Sequence, residues 1–318
     1  MIDRPEISVI VPVFNEENNI PSLYDELTTV LESLDKRWEV VAVDDGSTDA
    51  SFARLAEVHH GDPRWRIIRF RRNFGQTAAF SAGFEQARAP IVVTMDADLQ
   101  NDPKDIPRFL QRLDEGFDIV SGWRVKRKGG FFSRRLPSFV ANRLISSSTG
   151  VVLHDYGCSL KAYRSELLEH IHLYGELHRF IPAIASQYGA RITEIEVNDR
   201  ERRHHTSKYG LGRTLPVLLD LLTVYFLLSF GSRPLRFFGG AGFILGAVGI
   251  VTNVYLSVLK LGFGEAIGNR PLLLFGLLMT IVGVQLIAMG LLAELVMRVY
   301  YEGSSRTTYA IREVLEDQ

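Results

Sequence analysis

Asp96 and Asp98 lie two residues apart at the end of the run IVVTMDADLQ, Ile91 to Gln100, and their carboxylates could hold a cation. Ile91, Val92, Val93 and Met95 read as a strand buried on both faces, because branched and apolar residues pack well on a pleated surface. In an extended chain residues i and i+2 point the same way, so both carboxylates are expected on one side, near the amide oxygen of Gln100. Hard oxygen donors of this kind suit Mg2+ or Mn2+, which one or two carboxylates hold while substrate phosphates complete the shell. A polar strand-to-loop turn explains the same letters, so the D-x-D alone leaves the metal reading open.

The second chemical signal is positive charge. The formal net charge of −1 points to no class of partner, but its distribution does. Ile119 to His154 contains no Asp or Glu, yet it holds Arg124, Lys126, Arg127, Lys128, Arg134, Arg135 and Arg143. Arg200 to Arg213 adds five basic residues and two histidines against one Glu. Such runs suit phosphates on nucleic acid or on a membrane surface, although a solvated basic face would look the same. The single cysteine, Cys158, excludes an intramolecular disulfide, and neither it nor His154 has a partner at a spacing suited to a thiol nucleophile. Met1 to Glu6 is polar and runs directly into a strand, so no signal peptide is expected and the N-terminal portion should stay in the cytosol.

Alternating strands and helices must position these groups. Ile7 to Phe14 is a buried-strand pattern closed by Asn15-Glu16-Glu17-Asn18, and helical spacing follows at Ile20, Leu23, Leu27, Val30, Leu31 and Leu34. Trp38 to Val43 is a strand ending in Asp44-Asp45-Gly46-Ser47-Thr48-Asp49. Trp65 to Phe70 is another, ahead of Arg71-Arg72-Asn73-Phe74-Gly75 and a small-residue helix from about Gln76 to Ala87. Ile106 to Leu113 reads as a short helix, Phe117 to Ser121 as a strand, and Arg191 to Val197 as an edge strand. This spacing fits right-handed crossover units, hence a mostly parallel α/β sheet with its ligand crevice at the carboxyl-end loops. Three of those loops, at Asn15, Asp44 and Asp96, carry carboxylates and amides.

Neither G-x-G-x-x-G nor G-x-x-x-x-G-K-[ST] occurs, so no dinucleotide fingerprint or P-loop is available. A diphosphate could instead be neutralised by a metal at Asp96 and Asp98, leaving Asp44 and the Asn15-Glu16 loop for a base and ribose. Pro12-Val13-Phe14-Asn15-Glu16-Glu17, Asp44 to Asp49, Arg72-Asn73-Phe74-Gly75 and Asp96-Ala97-Asp98-Leu99-Gln100 resemble, in order, the motifs of family 2 glycosyltransferases with a GT-A fold. Over essentially the whole chain the similarity is nearest to polyprenyl-phosphate glycosyltransferases, which include dolichol-phosphate mannose synthases and bacterial undecaprenyl-phosphate glucosyltransferases. The resemblance implies that Pro12, Asn15, Glu16, Asp44 and Asp96 serve the nucleotide sugar and that Asp96, Asp98 and Gln100 hold Mg2+ or Mn2+. It also places Arg124 opposite the acceptor phosphate, with Arg134 and Arg135 as further candidates. Asp155, in the run His154 to Arg164, would lie nearest the sugar and orient sugar or acceptor; capping the turn before Gly157 is its plainer role. Arg202, Ser207, Lys208 and Tyr209 match the family pattern R-x-x-G-x-S-K-[YF], but His205 replaces its glycine, leaving the path of that loop open.

Phe237 to Leu259 and Pro271 to Ala293 are each 23 residues without a formal charge, enough to cross about 30 Å of hydrocarbon as helices. Basic residues flank the pair at Arg233, Arg236, Arg298 and Arg306, so both termini are expected in the cytosol of a bacterial inner or plasma membrane protein. Leu215 to Phe230 is apolar apart from Asp220 and a few hydroxyls, and reads as an interfacial helix. The expected organisation is therefore a catalytic domain over 1–210, a juxtamembrane helix over 211–234, two spans within 235–298 and a tail over 299–318. Gly276, Gly283 and Gly290, with Gly242 and Gly246, make small faces that could join the spans to each other or to another copy.

The resulting expectation is a metal-dependent, inverting transfer of one sugar to the phosphate of a polyprenol such as undecaprenol, with UDP-glucose favoured as donor and GDP-mannose or another UDP-sugar as the alternative. Asp98, Arg124 and Asp155 are its expected catalytic residues. A processive polysaccharide synthase should carry a Q-x-x-R-W segment, which is absent. A non-catalytic membrane scaffold remains the rival of another class. No nucleic-acid partner is expected, because a membrane already supplies phosphates.

Overall fold

The computed structural model describes residues 4–125, 151–200 apart from 170, 172 and 174–176, residues 226 and 230, and 234–303. Arg134, Arg135, Arg202, Ser207 and Lys208, and most of the stretch read as interfacial, lie outside the described residues. The chain divides into two compact units, Met1–Tyr225 and Phe226–Gln318.

Among the described residues, seven strands form the sheet of the first unit: β1 (Ile7–Val13), β2 (Trp38–Asp44), β3 (Trp65–Arg69), β4 (Ile91–Thr94), β5 (Ile119–Trp123), β6 (Lys161–Arg164) and β7 (Ile192–Glu196). Their order is β3-β2-β1-β4-β6-β5-β7. All neighbouring pairs are parallel except the two made by β6, which runs antiparallel to both β4 and β5. Strands made of Ile and Val runs alternate between two buried layers, as expected where helices cover both faces. Val9, Val40 and Val93 face a layer that includes Leu23, Leu27 and Leu31 of α1 (Ile20–Glu32), Leu55 of α2 (Ser51–Gly61) and Phe109 of α4 (Ile106–Asp114). Ile10, Val41 and Val92 face Ala79 and Phe80 of α3 (Gln76–Gln86), with Ile181 and Ala185 of the short α6 (Ile181–Ser186). A further single turn, α5 (Ser165–Leu168), follows β6.

Two expectations need correction. The strand at Ile91 stops at Thr94, and Ala97, Asp98 and Leu99 form a turn in which Leu99 adopts a positive φ of 61°. The i, i+2 rule of an extended chain therefore does not set the directions of Asp96 and Asp98. The run His154 to Arg164, read only as a motif, supplies the antiparallel strand β6 in the middle of the sheet.

The second unit contains α7 (Pro234–Phe263) and α8 (Pro271–Gly303), each extending beyond the apolar run that marks it in sequence. Both are long and apolar enough to cross a membrane. A soluble core helix would be buried, whereas here Phe243, Val251, Leu261, Leu274 and Leu292 are exposed. On α7 the buried positions Gly242, Gly249 and Leu256 recur every seven residues. A Cβ on Gly249 would lie 2.4 Å from Thr280 Oγ1, and one on Gly283 would lie 2.5 Å from the Gly246 nitrogen. The glycine faces thus bring the two helices of one chain together, and Asn253 Nδ2 donates to Thr280 Oγ1 across the contact at 3.4 Å.

In the first unit, α3 approaches β1 equally closely, since a Cβ on Gly83 would sit 2.2 Å from Ile10 Cγ2. Gly83→Ala should therefore lower stability by ~1–3 kcal/mol through overpacking, despite alanine's better helix propensity. Chemical denaturation of the detergent-solubilised protein measures this, and an unchanged midpoint would contradict the contact.

Candidate functional site

In a sheet of this kind ligands collect where strands end and loops begin. The loops after β1 and β2 are stitched together. Asn15, at a positive φ of 56°, accepts the Thr48 N–H on its Oδ1 at 2.8 Å, while its own N–H donates to Ser47 Oγ at 3.0 Å. The Glu16 N–H donates to Ser51 Oγ at 2.8 Å. Pro12 lacks an N–H, which β1 tolerates because its pairing with β4 ends at Ile10 opposite Thr94. Asp44 is fully buried: its Oδ1 accepts the Ser47 N–H at 3.0 Å, and Arg69 Nε lies 3.6 Å from its Oδ2, which has no hydrogen-bond partner among the described residues. Asp45 accepts the N–H groups of Phe74 and Gly75 at 2.7 and 2.9 Å, fixing the Arg72 to Gly75 loop. Burial raises the Asp45 carboxyl above its ordinary range, against the pull of those two donors. These loops enclose a cleft of about 610 Å3 whose walls include Phe14, Ser47, Thr48, Arg69, Arg72 and Asn73.

Beside it, Asp96 is held from three sides. Gln76 Nε2 donates to its Oδ1 at 2.6 Å, Ser159 Oγ donates to its Oδ2 at 2.7 Å, and its own N–H donates to Asn101 Oδ1 at 3.1 Å. Asp98 Oδ1 accepts the Gln100 N–H at 3.1 Å, closing the turn, and the Gln100 carbonyl accepts the N–H of Arg200 at 3.0 Å. Burial, and next to it the charge of Asp98, push the Asp96 carboxyl up to about 6. A buried Asp96 whose charge is disfavoured, with a second carboxylate close by, fits a divalent cation, because a cation relieves both effects. Among the described residues no group of three His, Cys, Asp or Glu side chains forms a complete cage. A pair of carboxylates suits an ion that takes part of its shell from a ligand's phosphates.

At the ends of β5 and β6 stands the third component. Arg124 Nε donates to Asp155 Oδ2 at 2.7 Å and its Nη2 donates to Asp155 Oδ1 at 3.1 Å, a bidentate pair with both side chains largely buried. Burial opposes the Arg124 charge, but the hydrogen bonds and charge of Asp155 outweigh it and raise the guanidinium pKa. Asp155 Oδ1 also accepts the Gly157 N–H at 3.0 Å, so it caps the turn and holds the arginine at once. His154 stacks on Trp123 with ring centroids 4.2 Å apart, and its Nδ1 pairs with Glu194. Cys158 is buried, and burial pushes its thiol up to about 11, away from nucleophilic use.

Asp96, Asp98, Arg124 and Asp155 thus come together as one electrostatic group, since Arg124 acts on the Asp96 charge. Sequence reasoning singled out those four but missed Gln76, Ser159, Asn101 and Lys161. Lys161 is 2% exposed, and burial pulls its amine down to about 8, with Asp155 and Asp96 among the charges opposing that shift. A lysine inside the apolar pattern L-K-A-Y was the available signal, because an ammonium in a central strand is rare without a purpose.

Residues 8–172 match the family described as Glycosyl transferase family 2. The dodecaprenyl-phosphate galacturonate synthase of Rhizobium johnstonii is 44% identical over 317 residues, 98% of this chain and 94% of that protein. An undecaprenyl-phosphate 4-deoxy-4-formamido-L-arabinose transferase of Salmonella choleraesuis is 37% identical over 312 residues, 98% of this chain and 94% of that protein. In fold, the chain is similar to glucosyl-3-phosphoglycerate synthase from Mycobacterium tuberculosis, crystallised with Mn2+, UDP and glucosyl-3-phosphoglycerate. The TM-score is 0.54 at 22% identity, over 70% of this chain and 80% of that one.

A buried pair is hurt most when one partner is removed. Asp155→Ala should destabilise the first unit by roughly 3–5 kcal/mol, and Arg124→Met with Asp155→Ala together by clearly less. Thermal unfolding of the single and double variants measures this; a double variant weaker than the single would contradict the pairing.

Proposed function

The chain belongs to glycosyl transferase family 2, with the GT-A fold of the polyprenyl-phosphate sugar transferases, and from that premise we propose that it moves one sugar from a nucleoside diphosphate to a polyprenyl phosphate with inversion. The observation that supports the reading is the electrostatic coupling of a cation-suited carboxylate pair to a buried Arg124–Asp155 pair. The two apolar helices support a membrane-borne substrate.

The cleft walled by Phe14, Ser47, Thr48, Arg69 and Arg72 receives the nucleoside, and the loops that carry Pro12, Asn15, Glu16 and Asp44 serve it. Asp96, Asp98 and Gln100 hold Mg2+ or Mn2+, the use of Mn2+ by the mycobacterial neighbour being supporting analogy. Bound there, the cation supplies Lewis-acid stabilisation of the departing diphosphate. Arg124 faces the acceptor phosphate, joined by Arg134, Arg135, Arg202, Ser207 and Lys208. Asp155 acts by fixing the Arg124 fork, so that the acceptor oxygen is aimed at the anomeric carbon. A phosphate acceptor is already ionised near neutral pH, so Asp155 need not serve as a base. Both termini and the first unit lie in the cytosol, with α7 and α8 as the two spans.

UDP-glucose is the donor expected from sequence. The relatives named for galacturonate and formamido-arabinose favour a second reading, UDP-linked galacturonate, through 44% identity across nearly the whole chain. Purified protein should be given undecaprenyl phosphate and radiolabelled UDP-glucose, UDP-galacturonate or GDP-mannose, each with Mn2+ or EDTA. An organic-extractable product bearing one sugar is expected from one donor and should vanish with EDTA. Asp98→Ala should abolish it while the variant keeps its unfolding midpoint. Full activity of folded Asp98→Ala would sink the metal assignment, and no nucleotide-sugar binding with Mn2+ would favour the scaffold.

A further inference from the structure

Lys161 is a buried cation that the transfer reaction as described leaves without a task. It opens β6, opposite Thr94 of β4 and Ser121 of β5, so it sits in the middle of the sheet between the strand leading to Asp96 and the strand leading to Arg124. Its Nζ donates to the carbonyls of Tyr156, at 3.2 Å, and of Cys158. Both belong to the short turn from Asp155 to Ser159. One end of that turn grips Arg124 through Asp155, and the other grips Asp96 through the Ser159 hydroxyl. The same hydroxyl lies 2.9 Å from Asn101 Oδ1, whose oxygen receives the Asp96 N–H. Thr94 Oγ1 donates to the Ser159 carbonyl at 2.7 Å and anchors that end to β4.

Desolvating an ammonium is expensive, and an apolar chain of the same length would fill a central strand without that penalty. What the amine adds is direction, since it holds two carbonyls of one turn from below. Resting on the transfer reading above, we propose that Lys161 is a positioning residue: by tying down the Asp155 to Ser159 turn, it keeps the acceptor-side Arg124 and the cation-side Asp96 in fixed register. Lys161 itself touches neither substrate.

The test is a double-mutant cycle on Mn2+ binding, read by electron paramagnetic resonance with UDP present, on full-length protein in detergent. Lys161→Met and Ser159→Ala should each weaken Mn2+ binding by about ten-fold or more, the loss of a charge-assisted hydrogen bond being of that size. The combined variant should bind no more weakly than the poorer single variant, because both act through one turn. Turnover per folded molecule should fall in Lys161→Met, whereas a merely structural lysine would change only the unfolding midpoint. Additive losses, or wild-type Mn2+ affinity in either single variant, would overturn the proposal. Should Lys161→Met fail to fold, Lys161→Arg takes its place: with charge and donors kept, affinity within about three-fold of wild type supports the proposal, and a ten-fold loss overturns it. Failure of the wild-type protein to bind Mn2+ with UDP would instead overturn the metal assignment, so the two failures are distinct.

Discussion

Four ionisable side chains, Asp96, Asp155, Arg124 and Lys161, meet where β4 and β5 end and β6 begins, and they can be withdrawn from water only because they compensate one another. An isolated ion in such a place would neutralise or move. Here the two cations oppose the two carboxylates, backbone and side-chain donors bond the carboxylate oxygens, and Lys161 Nζ donates to the Tyr156 carbonyl. The balance is incomplete by design of composition: Asp98 adds a third carboxylate, and it helps raise Asp96. A divalent cation would complete it, which is why the same cluster that is internally strained is suited to a metal-bound diphosphate.

The sheet order sets this cluster between two groups of strands. On one side β1 and β2 carry the Asn15 and Asp44 loops, rigidly laced and lining the cleft. On the other side β5 ends at Trp123 and delivers Arg124. The antiparallel β6 lies between β4 and β5, and its leading turn reaches both. In the proposed reaction the donor lies beside the first group, the acceptor phosphate beside the second, and the bond changes over β6. The apolar helix pair, knit by its glycines, is long and apolar enough to cross a membrane.

Much of this was legible in sequence because it is local. Ile and Val runs gave β1, β2 and β4 to within a few residues, and uncharged 23-residue runs marked α7 and α8. The carboxylates and Arg124 were individually visible through motif order. Their connections were not, because hydrogen bonds that span 31 residues, from Arg124 to Asp155, or 63, from Ser159 to Asp96, leave no periodic trace. β6 was missed for a related reason: K-A-Y-R has too little alternation to announce a strand, and only its neighbours on both sides bury it. The turn at Leu99 was hidden because its positive φ falls on an apolar residue that rarely adopts it.

The central claim is that the Asp96–Asp98 turn is where a cation and a nucleoside diphosphate meet. Crystals of the protein grown with Mn2+ and UDP, with data collected at the manganese absorption edge, test it directly. The account predicts one anomalous peak at coordination distance from an Asp96 or Asp98 carboxylate oxygen, shared with the diphosphate. UDP bound in the cleft with manganese elsewhere, or with no peak, would contradict it.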